Sequence, residues 1–314
     1  MANQDPKTHI QNPLPRWLKR NVPKGNANHF TAKLIGQLGL QTVCDHAKCP
    51  NRMECYSQKT ATFMILGDIC TRACRFCSVK KGKPLPPDPD EPRRLAEAVR
   101  QLGLKHVVIT CVTRDDLPDG GAEHFLRTIE AVRGKKNDEC GMMNDECRTT
   151  ESEIHRLPTV EVLPSDFAGN LAAVDRLIDA APEVYNHNTE TVPRLFHVVR
   201  DPRTDYPATL KMFRHIRDRN PAIGLKTGLM LGLGETTDEL LDALADLFEA
   251  GCRMLTLGQY LQPSPVQMPV VRYLPPDEFE HLGELARQMG FTHVASGPFV
   301  RSSYHAHKMM IAEC

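Results

Sequence analysis

Residues 60–78 read TATFMILGDICTRACRFCS. The first eight form an apolar, threonine-containing run of strand length, and three cysteines follow at once, Cys70, Cys74 and Cys77, separated by three and two residues. An open nucleotide-binding sheet would carry a glycine-rich fingerprint after its first strand, and none stands here. A cysteine loop takes that place.

Working outward, strand-like runs recur at HVVITCVT (106–113), TVEVLP (159–164), EVYNHNTE (183–190), IGLKTGLML (223–231) and MLTLGQYL (254–261). Helical periodicity fills the intervals at 92–102, 122–132, 170–181, 208–217, 237–250 and 276–289, with Gly251 and Gly290 as stop signals. Six strand–helix units in succession predict parallel strands with right-handed crossovers, in an open doubly wound sheet or a barrel. The cysteines, DDLPDGG (115–121), HNTE (187–190) and QYLQPS (259–264) all fall at the carboxyl ends of strands, where barrel enzymes keep their chemistry. The segment RGKKNDECGMMNDECRTTESEIHR (133–156) breaks the rhythm. Its Cys140 and Cys147 lack a nearby histidine or further cysteine, so it reads as a solvated insertion. Residues 1–43 read as an extension lying on a domain, with one short helix near 33–38.

Bulk composition narrows the function. Lys plus Arg equals Asp plus Glu at 39 each, and aromatic residues make up only 6%, which argues against a nucleic-acid partner. No run of 18 apolar residues occurs and the opening MANQDPKTHIQNPLPRWLKR has no apolar h-region, so the expectation is a cytoplasmic protein without a membrane partner. A reducing compartment keeps thiols free, and six of the 11 cysteines crowd into 44–77. That clustering points to metal.

Upstream of the first strand, CDHAKCPNRMEC (44–55) spaces Cys44, Cys49 and Cys55 by four and five residues. Each triplet lacks a fourth thiol. Zinc would be expected to use paired Cys-x2-Cys elements, and here would need His46 or an outside residue. A triplet spaced three and two instead suits three irons of an iron–sulfur cube, with the fourth iron left open. In radical chemistry the amino and carboxylate groups of S-adenosylmethionine fill that place, and electron transfer from the cluster releases a 5'-deoxyadenosyl radical that takes hydrogen from unreactive carbon.

The stretch TVCDHAKCPNRMECYSQKTATFMILGDICTRACRFCSVKKGKP (42–84) resembles the lipoyl synthases of the radical S-adenosylmethionine superfamily, which carry both cysteine sets in this order. TRDDLPDGGAEHF, EVLPSDFAGN, HNTETVPRL, GLMLGLGE, LTLGQYLQPS and GPFVRSSYHA extend the likeness over about residues 12–307. It implies a partial (βα)6 TIM-type barrel over 60–290, an N-terminal extension (1–59) bearing an auxiliary cluster and a C-terminal extension (291–314) bearing an RSSY serine. Cys70, Cys74 and Cys77 would hold the 4Fe-4S cluster that binds S-adenosylmethionine. Cys44, Cys49 and Cys55 would hold a second 4Fe-4S cluster, its fourth iron bound by Ser302, with neighbouring Ser303 as the alternative.

The implied reaction is insertion of two sulfur atoms at carbons six and eight of an octanoyl chain on a carrier-protein lysine, with sulfur drawn from the auxiliary cluster. Implied partners are octanoylated lipoyl carriers (the glycine cleavage H protein and acyltransferase subunits of 2-oxo acid dehydrogenases), an electron donor and an iron–sulfur carrier. Asn188 and Glu190 are expected to meet the ribose or amino group of S-adenosylmethionine, and Arg200 and Lys226 its carboxylate. Asp115, Asp116 and Asp119 are expected to build a turn rather than a divalent-metal site. Cys111 and Cys252 are expected in the core and Cys314 to be incidental. Thr227 stands where serine is usual in the family, and Gln267 where histidine is expected. The competing readings are a biotin-synthase-like or methylthiotransferase-like radical enzyme, and a non-catalytic iron–sulfur or zinc protein.

Overall fold

The computed structural model describes residues 14–19, 27–134 and 157–306. The insertion's Cys140 and Cys147, and Cys314, lie outside them. The strands are β1 (Gln41–Thr42), β2 (Thr62–Ile65), β3 (Ile69–Cys70), β4 (Lys80–Lys81), β5 (His106–Cys111), β6 (Thr159–Leu163), β7 (Val184–Asn186), β8 (Gly224–Leu231), β9 (Met254–Gln259) and β10 (His293–Gly297). The helices are α1 (Ala27–Gln37), α2 (Val43–His46), α3 (Arg52–Ser57), α4 (Glu91–Leu102), α5 (Ala122–Val132), α6 (Leu171–Asp179), α7 (Phe196–Val199), α8 (Tyr206–Arg219), α9 (Thr237–Glu249) and α10 (Pro276–Gln288).

The main sheet runs β1-β2-β5-β6-β7-β8-β9-β10. From β2 to β10 every pairing is parallel and the spatial order follows the chain, with β1 antiparallel at one edge. An order that never reverses has no topological switch point, so of the two expected architectures the structure is the barrel type. Among the described residues no pairing joins β1 to β10, and the barrel is therefore partial. The strand β10, not expected from the sequence, pairs in register from His293 with Met254 to Gly297 with Gly258, beyond the boundary expected at 290.

Local chemistry sets the helices. α4 has proline in its first turn, buries Leu95, Ala98, Val99 and Leu102 along one face, and stops at Gly103 with φ 67°. α9 begins with a capping box in which Thr236 and Glu239 satisfy each other's backbone N–H groups. Asn170 caps α6 by accepting from Ala172 and Ala173 N–H. Parallel strands covered by helices are apolar on both faces, as in β2, where Thr62 to Ile65 are all buried.

One polar group sits deep inside. Lys226 on β8 is fully buried and its Nζ donates to both carboxylate oxygens of Glu161 on β6, each at 2.9 Å. Asn186 Nδ2 donates to the same carboxylate at 2.8 Å, and the Lys226 charge counters burial to hold Glu161 below its ordinary pKa. Lys226 is thus committed to the barrel interior. Lys226→Met should lower unfolding stability by ~3 kcal/mol, because it leaves a buried carboxylate unpaired. A urea midpoint unchanged by this substitution would contradict the assignment.

Candidate active site

The loop 70–77 is closed on itself and then fastened to the barrel. β3 pairs with β4, and Gly82 N–H donates to Cys70 O at 3.1 Å. Thr71 N–H donates to Thr113 O beyond β5 at 3.1 Å, and Arg75 N–H to Val199 O at 2.9 Å. Arg72, only 4% exposed, donates through Nε and Nη2 to Asp115 at 2.9 and 2.8 Å, and through Nη1 to Asp166 at 2.8 Å. Asp201 accepts from Ala73 N–H at 2.7 Å, while Arg203 spans Asp201, Asp115 and Thr71 O. The ends of β5 and β6 and the segment after β7 together grip one cysteine loop.

Each sulfur in the loop faces a backbone donor. Arg72 N–H points at Cys70 Sγ and Asp201 N–H at Cys74 Sγ, both at 3.4 Å, and Val79 N–H serves Cys77. Burial, with weaker repulsion from Cys74 and Cys70, pushes Cys77 up to about 12, and burial raises Cys74 despite nearby Arg200. Unligated, such thiols hold their protons at neutral pH. Cationic iron would offset the desolvation that disfavours the thiolate, and N–H donors stabilise sulfur carrying negative charge, so this donor set fits an iron–sulfur cluster.

Of the first triplet, Cys44 lies on α2, Cys55 on α3 and Cys49 on the turn between them. Thr42 caps α2 by accepting from Asp45 N–H, and the turn between the helices passes through Lys48 at φ 50°. Cys44 is buried, with Thr62 N–H bonded to its sulfur. Burial and the proximity of Cys49 and Cys55 push its thiol up to about 12. Beneath them Tyr56, fully buried, donates to Asp45 Oδ2 at 2.7 Å and ties α3 to α1 through Thr31, whose hydroxyl donates to Tyr56 O. His46 Nε2 lies 2.7 Å from Gln41 Oε1. Among the described residues no three His, Cys, Asp or Glu side chains converge as ligands of a single ion do. Three thiolates on three separate irons of a cube have no need to.

After β10 the chain crosses the barrel mouth. Gly258 on β9 permits this crossing, since a Cβ there would lie 2.1 Å from Val300 O. Asn51 Nδ2 donates to Phe299 O at 2.7 Å, and Tyr304 OH to Glu54 Oε1 at 2.8 Å, so the tail is fastened to α3 and the residue before it. Thr62 Oγ1 donates to Ser303 Oγ at 2.7 Å, whereas Ser302 Oγ accepts from Asn188 Nδ2 at 3.3 Å. The two adjacent serines thus face different neighbours.

Cysteines of both triplets open onto one cavity of about 480 Å³. Cys44 and Cys49 of the first triplet and Cys70, Cys74 and Cys77 of the second line it. Ser302, Ser303, Asn188, Glu190 and Arg200 also line it; Cys55 and Lys226 do not. The sequence reading set Lys226 beside Arg200 at a ligand carboxylate, but Glu161 holds its ammonium inside the barrel. Arg200 Nη1 donates to Asn188 O at 2.8 Å, and its guanidinium lies over Phe196. Asn188 Nδ2 donates to Glu190 Oε1 at 3.1 Å. Glu190 holds a left-handed φ of 72° because its backbone bridges back to Gly228 and Met230, a strain of the kind stored at working sites. Burial raises its carboxyl, with Arg200 countering.

The acidic turn is structural, as expected. Asp115 meets Arg72 and Arg203, Asp116 meets Arg114, and Asp119 accepts from Gly121 and Glu123 N–H at the start of α5. Cys252 is buried in the core, but Cys111, expected there too, is half-buried at the end of β5 and lines the cavity. Thr227 donates to His187 O, and Gln267 Nε2 to Cys77 O at 3.3 Å. Arg72, Asp201 and His187 were given no role from the sequence, although Arg72 is one of two arginines inside the cysteine loop.

A model of the radical SAM superfamily matches residues 64–247. The chain is 55% identical to a lipoyl synthase of Rhodopirellula baltica, over 96% of this chain and 89% of that one. It is 50% identical to the Methylococcus capsulatus lipoyl synthase, covering 93% and 85%, and 48% identical to that of Caldanaerobacter subterraneus, covering 93% and 95%. Solved structures share the fold at low identity: methylornithine synthase (12% identity, TM-score 0.52, 86% of this chain and 77% of that one) and Streptococcus suis SuiB bound to S-adenosylmethionine (10%, 0.54, 78% and 54%). With a partial barrel, two cysteine triplets on one cavity and this identity along nearly its whole length, the chain belongs to the lipoyl synthase family of the radical SAM superfamily.

Proposed function

We infer that this protein makes the lipoyl group, inserting two sulfur atoms at carbons six and eight of an octanoyl chain carried on a protein lysine. The observation that carries this reading is the convergence of cysteines from both triplets on a single cavity. The target carbons are methylene and methyl groups with no acidifying neighbour, so acid–base catalysis cannot begin the reaction. When bound, two 4Fe-4S clusters and S-adenosylmethionine supply hydrogen-atom abstraction and sulfur.

In this reading Cys70, Cys74 and Cys77 hold one cluster, and Cys44, Cys49 and Cys55 the other. Asn188, Glu190 and Arg200 face the S-adenosylmethionine side of the cavity, Arg200 placing positive charge near Cys74. Met64, Val112 and Leu229 give the cavity apolar surface suited to an alkyl chain. The serine partner of the first triplet is Ser302, with the adjacent Ser303 as the alternative; both line the cavity. The Ser303 hydroxyl accepts from Thr62, whose own N–H serves Cys44, and the Ser302 hydroxyl accepts from Asn188. The segment before residue 60 and the tail after β10 act as extensions that bring the sulfur-donating side over the barrel.

The partners that fit this chemistry are octanoylated lipoyl carriers, including the glycine cleavage H protein and acyltransferase subunits of 2-oxo acid dehydrogenases. An electron donor and an iron–sulfur carrier complete the set, in the cytoplasm. Among the described residues no helix is long and apolar enough to cross a membrane.

Incubated without oxygen with S-adenosylmethionine, a reductant and an octanoylated carrier domain, the reconstituted protein should yield lipoylated carrier and 5'-deoxyadenosine. Absence of lipoyl product while 5'-deoxyadenosine accumulates would point to another acceptor. Ser302→Ala should abolish sulfur insertion but not S-adenosylmethionine cleavage, while Ser303→Ala keeps both; the reverse pattern would assign the role to Ser303. Gly258→Ala, which pushes Val300 and the tail off β9, should cut sulfur insertion by roughly a hundredfold through misplacement alone. Its 5'-deoxyadenosine formation should persist, and normal lipoyl yield would contradict the role given to the tail.

A further inference from the structure

Strand β2 gives way to the cysteine loop through a strained turn. Ile65 still pairs with Cys111 of β5, but the buried Leu66 takes a left-handed φ of 69°, and Gly67 follows at 91°. A leucine rests in that conformation only where its surroundings over-determine it. The turn leads the chain out of the barrel wall through Asp68 to β3, which carries Cys70.

Both backbone polar groups of Leu66 are met by buried side chains. Leu66 N–H donates to Glu91 Oε2 at 2.9 Å, and Arg114 Nη1 donates to Leu66 O at 3.0 Å. Glu91 is the first residue of α4, and both it and Arg114 are buried. Each is held in turn. His124 Nε2 on α5 lies 2.7 Å from the same Glu91 oxygen, and Thr128 Oγ1 donates to His124 O at 2.7 Å. Arg114 donates through Nε and Nη2 to the two oxygens of Asp116 at 2.9 and 2.8 Å. The Leu66 side chain presses on Gly121 ahead of α5, where a Cβ would lie 2.3 Å from Leu66 Cδ1. The starts of α4 and α5 and the turn after β5 thus clamp one peptide turn next to the cysteine loop. Leu66, Glu91, Arg114 and His124 do not line the cavity, so whatever they contribute to the chemistry passes through the backbone.

We propose that Glu91 is a positioning residue for radical generation, its carboxylate locking the left-handed exit of β2 and so fixing where Cys70 stands. This rests on the assignment of Cys70, Cys74 and Cys77 to one cluster under the proposed function. Glu91 touches no substrate; it acts through the Leu66 peptide.

The test uses the full-length protein, first free of clusters and then with both reconstituted. Glu91→Met removes the acceptor, Glu91→Gln keeps one, and Leu102→Ala weakens the buried face of α4 at its opposite end. In the cluster-free protein, amide hydrogen exchange at Leu66 should run about tenfold faster in the Met variant and near the wild-type rate in the other two. In the loaded protein the Met variant should form 5'-deoxyadenosine about tenfold more slowly at an unchanged S-adenosylmethionine KM, a fraction of the roughly hundredfold that about 1 Å of misplacement costs. Its electron paramagnetic resonance after reduction should shift, and Glu91→Gln should restore both rate and spectrum. Leu102→Ala should lower the urea midpoint and leave exchange at Leu66, rate and spectrum as in the wild type. Arg114→Met, which frees the other end of the same peptide, should repeat the Glu91→Met pattern and decides the matter if that variant does not fold. Wild-type exchange and spectrum in the Met variants would overturn the proposal, as would losses in Glu91→Gln or Leu102→Ala equal to those in Glu91→Met. Wild-type protein that took up no iron–sulfur cluster would instead remove the assignment of the cysteines.

Discussion

The buried ion group around Arg72 is the constraint on which the rest of the molecule depends. A guanidinium almost wholly removed from water would be strongly unfavourable alone, and here Asp115 and Asp166 match its planar donors from two different strand ends. Because Arg72 lies between Cys70 and Cys74, satisfying its charge also fixes where those sulfurs stand. Asp201 adds a second hold through Ala73 N–H while its own N–H faces Cys74 Sγ. The loop can therefore keep its shape through its own charges, and the barrel's strand ends decide the position of the cysteines.

The opposite side of the cavity is built on another principle. The first triplet sits on two short helices and the turn between them, which depend on Tyr56, Asp45 and Thr42, and on a tail that crosses a glycine of β9. Side-chain hydrogen bonds link that tail to its neighbours: Asn51 to Phe299, Tyr304 to Glu54, Thr62 to Ser303 and Asn188 to Ser302. A barrel side gripped by buried ion pairs thus shares the cavity with a side held by contacts that are individually modest. That division suits chemistry in which one centre is used repeatedly and the other gives up its sulfur.

The barrel was legible because parallel strands covered on both faces read as apolar runs and their helices keep a 3.6-residue period. α5 begins and ends where its periodicity says. β10 was missed since HVASG is short, made of small and polar residues, and only half-buried. α2 and α3 are too short for any period to register. The cysteine spacings and the resemblance built on them carried most of the site. What stayed hidden were pairings made by the barrel's curvature: Arg72 with Asp166, 94 residues away, and Lys226 with Glu161, 65 residues away. Lys226 therefore read as a free cation at a ligand site. The adjacent Ser302 and Ser303 are chemically identical in sequence, and only the neighbours Asn188 and Thr62 tell them apart.

The central claim is that each triplet holds its own cube on the shared cavity. Iron and acid-labile sulfide, measured after anaerobic reconstitution in the wild type and in triple alanine variants of each cysteine set, test it most directly. The account predicts about eight of each per wild-type chain and about four in either variant. Zinc without sulfide, or loss of all iron when one set alone is removed, would contradict it.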